Sequence, residues 1–415
     1  MRKRNIVFVL LIAAAGLSQA RAGGLWITEY GQPSQGRAGA GEEAGTGTAA
    51  DAFLNPAAMT RLKGPQLMFS VGAIASSVEF VVENNGIVNG AGDGGDAGSL
   101  APGGSIFYAL PLNDRWVVGI SGLALTGAAL DYDNQWAGRF QTTEVSLIVA
   151  GVVPTVGYRV TDRFSVGLGL PVMYSNLDMD VRVPNPQTPV EGPEGKVNLD
   201  GNDVQVAGSA SFLYEFSDAT RLGGRVTSKF DFDYDGDISA DLIGQVGVET
   251  NLTMAAMARV GLSHDFNEKW SGYLTWGWDN WSELKDVFIS TNTGGASLAR
   301  NWRDTYHYAA GADYRLNSQW TLRSGVAYDT NPVDKEDRTA DLPIDRQMRY
   351  AFGADYVRQS GLKISGSLVY ADYGDAAIVS EGIPPAFGFE GDYKTNDFWF
   401  ASVTFDWPLA GQGRP

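Results

Sequence analysis

Apolar and polar residues alternate along most of this chain, and two kinds of segment interrupt the alternation. Short polar turns, closely flanked by aromatic residues, recur at 113–114, 161–162, 217–218, 267–268, 317–318 and 360–361. Longer stretches rich in Gly, Pro and Asp lie between them, near residues 84–103, 127–141, 184–197, 236–247, 288–302, 331–345 and 376–392. A period of two is typical of β-strands, and six tight turns alternating with seven long loops predict about fourteen antiparallel strands.

Each alternating segment has one apolar and one polar face. Tyr306 and Tyr308 share an apolar face, for example, whereas His307 lies on the polar face and is expected to be a solvated lumen residue. A soluble β-sandwich also alternates in this way. An even strand number, long strands and aromatic girdles are typical of an outer-membrane barrel, whose apolar face contacts lipid. We therefore predict an all-β transmembrane antiparallel β-barrel over residues 65–409 and a tail at 410–415.

The amino terminus is typical of a secretory signal peptide. Residues 2–4 are all basic, residues 6–17 form an apolar stretch too short to span a bilayer, and Ala-Arg-Ala at 20–22 matches a small-x-small cleavage site. We therefore predict a signal peptide over residues 1–22, with the mature chain beginning at Gly23. An uncleaved anchor fits these flanking residues less well.

Charge and composition exclude several classes of protein. The formal net charge of −17 argues against a nucleic-acid partner, because a phosphate-binding surface needs cationic patches. The chain has no cysteine, so neither disulfides nor a lipid-modified cysteine can form. Two histidines and no nucleophile elbow make an outer-membrane lipase a weak alternative, whereas a structural or adhesive barrel stays open. We expect no enzyme activity and no cofactor.

One acidic run deserves comparison with a calcium site. Asp231, Asp233, Asp235 and Asp237 imitate the first half of an EF-hand loop, but its twelfth position is Leu242 and not glutamate. Aromatic residues alternate with these aspartates, as in a strand that runs into an external loop. We therefore predict a strand here and no metal site.

Residues 23–64, ahead of the first predicted strand, are rich in small residues. A barrel of about fourteen strands would leave an open lumen unless something fills it. We expect this segment to fold as a plug inside the lumen, with Asn55 as the N-cap, Pro56 at the first position and Ala57 next in a short helix. A disordered periplasmic leader is the alternative.

Four cations lie on the polar faces of predicted strands and are therefore expected to face the lumen. A guanidinium or ammonium group there could bind the carboxylate head of an amphiphile. Most luminal cations simply pair with acids on adjacent strands, so each remains a candidate. The four are Arg225, Lys229, Arg259 and Arg323.

Several motifs resemble those of the FadL family of outer-membrane transporters for long-chain fatty acids and other hydrophobic compounds. They are NPAAMTRL before the first strand, DRWVVGIS at the third, WRDTYHYAAGADYRLNSQWTLRSGVAYDTNPV from residue 302, and LPIDRQMRYAFGADY. The resemblance covers essentially the mature chain. It implies diffusion-driven uptake across a Gram-negative outer membrane, of long-chain fatty acids or of aromatic or aliphatic hydrocarbons.

The resemblance also implies where substrate binds. It assigns Asn55, Pro56 and Ala57 to the plug, an apolar groove to the extracellular loops, and a luminal pocket to the first residues of the plug. The candidates are Leu130, Trp136 and Phe140 in the loop after the third strand, and Gly23, Leu25, Trp26 and Ile27 in the plug. Lateral exit is implied at a kink in the third strand, for which Gly122 and Gly127 are the candidates and Gly127 fits better.

The expected partners follow from the same resemblance. They are a long-chain fatty acid or other hydrophobic small molecule, outer-membrane lipid and lipopolysaccharide, and the barrel-assembly machinery, and the protein is expected to be a monomer. The carboxy terminus departs from the family pattern. Pro-Leu and a hydrophilic tail follow Trp407, where such barrels usually end on an aromatic residue.

Overall fold

A computed structural model describes residues 26–85, 91–184, 194–240, 244–291, 294–382 and 387–409. The predicted signal peptide, the candidate residues Gly23 and Leu25, and the tail at 410–415 lie outside the described residues. Within these ranges, no helix is both long and apolar enough to pass through a membrane.

Strands dominate the described residues. They are β1 (Gln66–Asn85), β2 (Leu100–Pro111), β3 (Trp116–Asp131), β4 (Glu144–Arg159), β5 (Phe164–Gly169), β6 (Val172–Val183), β7 (Gly195–Val206), β8 (Ser209–Ser217), β9 (Thr220–Thr227), β10 (Phe230–Ala240), β11 (Gly244–Met254), β12 (Met257–Asp265), β13 (Trp270–Asp279), β14 (Asp286–Thr291), β15 (Gly294–Ala299), β16 (Thr305–Arg315), β17 (Trp320–Asp329), β18 (Gln347–Val357), β19 (Lys363–Asp372), β20 (Ile378–Ser380) and β21 (Phe389–Pro408). The helices are α1 (Asp51–Leu54) and four 3₁₀ helices, Pro33–Arg37, Glu42–Ala44, Pro56–Arg61 and Trp281–Glu283.

The strands form a closed barrel of fourteen antiparallel crossings, which confirms the predicted fold class. Six crossings consist of two consecutive strands each, from β5 with β6 through to β15 with β16. The barrel closes because β1 pairs with β21, from Gln66 opposite Pro408 to Asn85 opposite Phe389. Such a sheet has no free edge on which another chain could add a strand.

The tight turns have a shared local cause. In the first, the Asn113 side-chain oxygen accepts hydrogen bonds from the backbone N–H groups of Arg115 and Trp116, each at 2.9 Å. Asn267 and Asn317 make the same pair of bonds in their turns. An asparagine that bonds its own backbone two residues on fixes a turn, which explains why an asparagine precedes an aromatic residue at this end of the barrel.

Large apolar side chains cover the outer wall. Cross-strand aromatic pairs lie near the tight turns, and a second group lies closer to the long loops. The first group includes Trp116 with Tyr158, Trp270 with Tyr314, and Trp320 with Tyr356, and the second includes Trp276, Tyr308, Tyr350 and Trp399. Two such belts flanking an apolar band match the aromatic girdles of a membrane barrel.

Strand breaks reverse the inward and outward faces in part of the wall. Arg225 of β9 is buried on the inward side of the barrel, and so are Phe230 and Phe232 of β10. Position 225 is odd and positions 230 and 232 are even, so an unbroken strand would place them on opposite faces. The break at Ser228–Lys229 causes this reversal, because unpaired residues rotate the following strand. Lys229 is therefore not luminal, contrary to the sequence prediction, and it pairs with Glu283 in an exposed position.

Candidate functional site

The plug segment, residues 26–64, packs against the inner wall of the barrel. Asn55 caps the 3₁₀ helix as predicted, since its side-chain oxygen accepts from the Ala57 N–H at 3.0 Å. Its amide nitrogen also donates to the carbonyl of Phe212 on β8 at 2.9 Å. The wall allows this approach because it presents glycines: a Cβ at Gly167 would overlap the backbone of Ala57. The Asn-Pro-Ala element thus serves both to start the helix and to hold it against the wall.

Charged contacts fix the same segment from another side. Arg37 lies 3.3 Å from the Asp313 carboxylate, and its guanidinium stacks 3.8 Å above the centre of the Tyr273 ring. Arg61 pairs with Glu215 at 3.1 Å near the tight-turn end. These contacts connect the plug segment to β8, β13 and β16, so its position depends on many points of the wall.

The glycine contacts give a direct test of this packing. A Cβ at Gly223 would overlap the carbonyl oxygen of Glu43, whereas a Cβ at Gly224 would meet the ring edge of Phe212 and come within 3.3 Å of the Arg259 carbonyl oxygen of the wall, neither of which belongs to the plug segment. We expect Gly223→Val to displace the plug segment at a cost of about 1–3 kcal/mol, because backbone cannot move aside as a ring can. In planar bilayers, the Gly223→Val variant should then open more frequently than its parent. Gly224→Val is the matched control, and equal behaviour of the two variants would contradict this packing.

A small inner cavity of about 20 Å³ lies between the plug segment and the wall. Trp26, Tyr30 and Glu42 line it from the plug segment, and Arg225 and His307 line it from the wall. The Trp26 indole nitrogen and the Arg225 Nε are both buried donors without an acceptor. Because unpaired buried donors are costly, an acceptor oxygen in this cavity, from a water molecule or from a ligand, would stabilise it.

Arg225 is the one of the four predicted luminal cations that has no carboxylate partner within the described residues. It is 5% exposed and donates to the carbonyl oxygen of Phe53 at 2.9 Å. Arg259 forms a two-pronged ion pair with Asp279 at 2.8 and 2.9 Å, and Arg323 lies between Asp313 and Asp355. Those two arginines therefore hold the wall together, as luminal cations commonly do.

Glu42 and Glu43 are the two acids that line the inner cavity together with Arg225. Burial and the nearby Glu43 carboxylate raise the pKa of Glu42 above its usual range. Its carboxylate accepts hydrogen bonds from Gln32 and Ser34 of the plug segment, at 3.2 and 3.1 Å. A carboxyl group with a raised pKa spends more of its time neutral, so it offers Arg225 little compensating charge.

The first described residues, Trp26–Gly31, form a partition between this cavity and a second one. Trp26 and Thr28 line the inner cavity, whereas Ile27 and Glu29 line a side cavity of about 80 Å³. Alternate residues of the partition thus face opposite cavities, as in an extended segment, except that Tyr30 borders both. Trp26 also packs on Trp281, with the ring centres 5.8 Å apart.

The side cavity lies beside a gap in the wall between β2 and β3. These strands pair only from Ile106–Gly122 to Pro111–Val117, and beyond Gly122 β3 pairs with β4 alone. The register between β3 and β4 shifts after Ala124, so that Leu125 is an extra, bulged residue. Gly127 lines the side cavity and Gly122 marks the last β2–β3 pair, whereas the irregularity itself falls between the two predicted glycines.

At the long-loop end, two of the predicted binding residues belong to a packed core. Leu130 lies in β3 and not in the loop after it, and its side chain is 2% exposed. Trp136 is fully buried and stacks on Tyr132, with ring centres 4.1 Å apart. Phe140 is half-buried and packs against Phe387 at 4.6 Å. Of the three, Phe140 is therefore the one whose ring is accessible from outside.

Two further sequence predictions meet different outcomes. His307 is not solvated: it is 4% exposed, and its Nδ1 lies 2.8 Å from an oxygen of Asp329. The Asp231–Asp237 run is a strand, β10, as predicted, and its aspartates lie on the outward face. Within the described residues, no group of three or more acids, histidines or cysteines could hold a metal ion.

The partition's Glu29 and its wall partner Arg349 are two site residues that were not predicted from the sequence. The two side chains, each 2% exposed, form an ion pair at 3.2 Å. Glu29 is the single charged residue between Gly23 and Gly36, which is a signal that the sequence does carry. The partner could not be found in the same way, because it lies more than three hundred residues further along the chain.

Comparison with known proteins identifies this architecture. Residues 13–402 match the model of a family described as "Outer membrane protein transport protein (OMPP1/FadL/TodX)". The chain belongs to the FadL/TodX family. A long-chain fatty acid transport protein of Escherichia coli O6:H1 is 24% identical over 442 aligned residues, which cover 96% of this chain and 97% of the relative. Outer membrane protein P1 of Haemophilus influenzae is 25% identical and covers 89% of this chain and 90% of its own length.

Solved structures share the fold. A crystal structure of a Pseudomonas aeruginosa FadL homologue has a TM-score of 0.85 at 20% identity and covers 94% of this chain and 100% of its own. The Pseudomonas putida toluene transporter TodX has a TM-score of 0.65 at 15% identity, with coverage of 87% and 94%. By its family, the protein is an outer-membrane transporter of hydrophobic compounds, and that family consists of transport channels. In outer-membrane barrels, the long loops generally face the cell exterior.

Proposed function

We propose that this protein takes up long-chain fatty acids by diffusion, from the extracellular loops through the inner cavity to the side gap. The observation that carries the proposal is Arg225, a buried guanidinium beside the partition whose Nε has no acceptor. A fatty acid brings a carboxylate for such a donor and an alkyl chain for the apolar wall above it. The name of the Escherichia coli relative, a long-chain fatty acid transport protein, supports the same substrate class.

The lumen above Arg225 is suited to an alkyl chain. Phe230, Phe232 and Tyr234 form a continuous row of inward-facing rings on β10, with neighbouring ring centres 5.9 and 6.0 Å apart. The three rings are at most 1% exposed, so a solute would gain about 25 cal/mol for each Å² of apolar surface that it buries here only after it displaces the groups that now cover them. The same row favours aromatic or aliphatic hydrocarbons as a second candidate class, in line with the name of the toluene transporter TodX.

Exit through the side gap completes the proposed route. The gap begins where β2 loses its pairing with β3, and the side cavity that adjoins it is lined mainly by small and apolar residues. Solute leaving there would enter the outer leaflet without crossing the periplasmic face. Phe140 is the proposed first contact outside. We also propose that residues 23–64 gate the lumen as a plug and that the protein is a monomer. Insertion among outer-membrane lipid and lipopolysaccharide would depend on the barrel-assembly machinery.

The experiment that tests the proposal compares two arginines on the same strand. Arg225 and Arg221 both donate to plug carbonyls, but Arg225 lines the inner cavity and Arg221 does not. We expect Arg225→Met to weaken oleate binding roughly ten- to hundredfold, because hydrogen bonds to charged groups contribute about 1.5–3 kcal/mol. Titration calorimetry in mild detergent measures this change.

Toluene binding should not change in Arg225→Met, since a hydrocarbon has no acceptor for the guanidinium. Arg221→Met is the matched control and should retain oleate affinity. Equal loss of oleate binding in both variants would indicate a general effect on plug packing. Unchanged oleate binding in Arg225→Met would contradict the proposed head-group site and favour the hydrocarbon alternative.

A further inference from the structure

The partition between the two cavities is held mainly by neutral hydrogen bonds to the wall. The Ile27 N–H donates to the carbonyl of the bulged Leu125 at 3.1 Å, and the Tyr30 carbonyl accepts from the Ser70 hydroxyl at 3.3 Å. Water or neighbouring groups can replace such bonds at low cost when a segment moves. The single charged side chain in residues 26–31 is Glu29.

Glu29 is bound in a different way from the rest of the partition. Its carboxylate forms an ion pair with the Arg349 Nε of β18 at 3.2 Å, without the geometry of a hydrogen bond, and it accepts hydrogen bonds from the Thr28 N–H at 3.0 Å and hydroxyl at 3.1 Å. Arg349 is shared, because its other side pairs with Asp329. One buried guanidinium therefore holds two acids, of which one belongs to the fixed wall and the other to the partition.

The Glu29–Arg349 pair holds the segment that lies between the two cavities. They measure about 20 and 80 Å³, and residues 26–31 separate them, so a long-chain solute can pass only if the partition moves. Moving the partition takes Glu29 away from Arg349. A buried ion pair resists this step strongly, since breaking it leaves charge without compensation in a place that water hardly reaches.

A solute carboxylate has the same charge and the same two-oxygen geometry as the Glu29 side chain. It can therefore bind Arg349 as Glu29 leaves, whereas a hydrocarbon or an alcohol cannot replace the lost charge. A ligand shifts a conformational equilibrium only as far as it favours one state over the other. Carboxylate exchange supplies that difference for fatty acids specifically.

We propose that Glu29 and Arg349 form a latch on the partition, and that a solute carboxylate opens it by taking the place of Glu29 on Arg349. The inference rests on the proposed function for the identity of its ligand. It adds a selection step at a second arginine, distinct from Arg225: uncharged solutes bind in the lumen but do not release the partition. Glu29 acts here as a positioning residue, since it holds the partition and does not itself bind solute.

The chain has no cysteine, so one introduced cysteine reports on the partition alone. Ile27 is 5% exposed, and Ile27→Cys should react slowly with a water-soluble maleimide while the latch holds. The same cysteine is then placed in Glu29→Gln and in Asp51→Asn. Asp51 is a fully buried plug carboxylate that bonds Thr46 and Gly47 and lines neither cavity, which makes it the matched control.

Without ligand, we expect labelling of the cysteine to be roughly tenfold faster in Glu29→Gln than in its parent, and unchanged in Asp51→Asn. Glu29→Asp keeps the charge on a shorter side chain, so its labelling rate should fall between those of the parent and Glu29→Gln. This variant preserves the test if the glutamine variant folds poorly. Equal labelling rates in Glu29→Gln and the parent would overturn the latch.

With ligand, oleate should accelerate labelling of the parent, whereas oleyl alcohol of the same chain length should not. Equal acceleration by both would overturn carboxylate exchange. Binding of oleate is measured in the same samples by calorimetry. Absence of oleate binding would overturn the proposed function and the exchange step together, while the ligand-free rates would still decide whether the Glu29–Arg349 latch exists.

Discussion

Deleting residues 23–64 is expected to convert this protein into an open pore, with a conductance in planar bilayers roughly tenfold or more above that of the intact protein. The inward face of the wall around the plug segment contains many small residues, so the wall does not fill the lumen by itself. Its members include Gly157, Ser165, Gly167, Ser211, Gly223, Gly261, Gly311, Gly325 and Gly353. Porin-sized barrels with small inward side chains hold water in their lumen.

The barrel itself should survive this deletion, because its closing pair, β1 with β21, begins at Gln66, beyond the deleted residues. Heat-modifiable migration on gels checks that the truncated chain still folds. The deletion removes ion pairs such as Arg37–Asp313, but the wall carboxylates that remain would then face water. We therefore expect no large loss of barrel stability. A conductance equal to that of the intact protein would mean that the segment does not obstruct the lumen.

The alternation of residue types was sufficient to predict the barrel, its strand number and its tight turns. Alternation fails where a strand breaks: nothing in Ser228–Lys229 distinguishes a bulge from a continuing strand, yet the bulge turns Lys229 outward. The acids that pair with the luminal cations could not be predicted from the sequence either. Arg259 meets Asp279 because β12 and β13 pair in one register, and a slip by one residue would put those side chains on opposite faces.

The candidate site was predicted in outline and not in its contacts. Trp26, Ile27 and Arg225 do meet around the partition, as a plug inside a barrel requires. The pairing of Arg349 with Glu29 depends on where the plug segment lies relative to β18, and no local sequence pattern predicts that position. Leu130 and Trp136 are apolar in a loop-like stretch, but apolar residues there also build the core beneath the loops.

Filling the side cavity is expected to reduce uptake roughly tenfold or more without altering the barrel. Gly103 of β2 lines this cavity beside the gap, and a Cβ added there meets open space. Gly103→Leu therefore adds a side chain in the open space that the proposed route needs, so it should obstruct solute without straining the wall. Uptake of radiolabelled oleate by cells, at equal surface abundance of the protein, measures the effect.

Gly366 of β19 provides the matched control for this substitution. It also meets open space, but it lies on the outward face, next in line to Leu368, which is 46% exposed to the lipid side. Gly366→Leu carries the same loss of strand flexibility and the same added volume, so uptake should remain near that of the parent. Oleate binding by purified Gly103→Leu should persist, since Arg225 and the inner cavity are unaltered. If Gly103→Leu and Gly366→Leu support equal uptake, solute does not leave through the gap between β2 and β3, and release past the plug toward the periplasm becomes the better hypothesis.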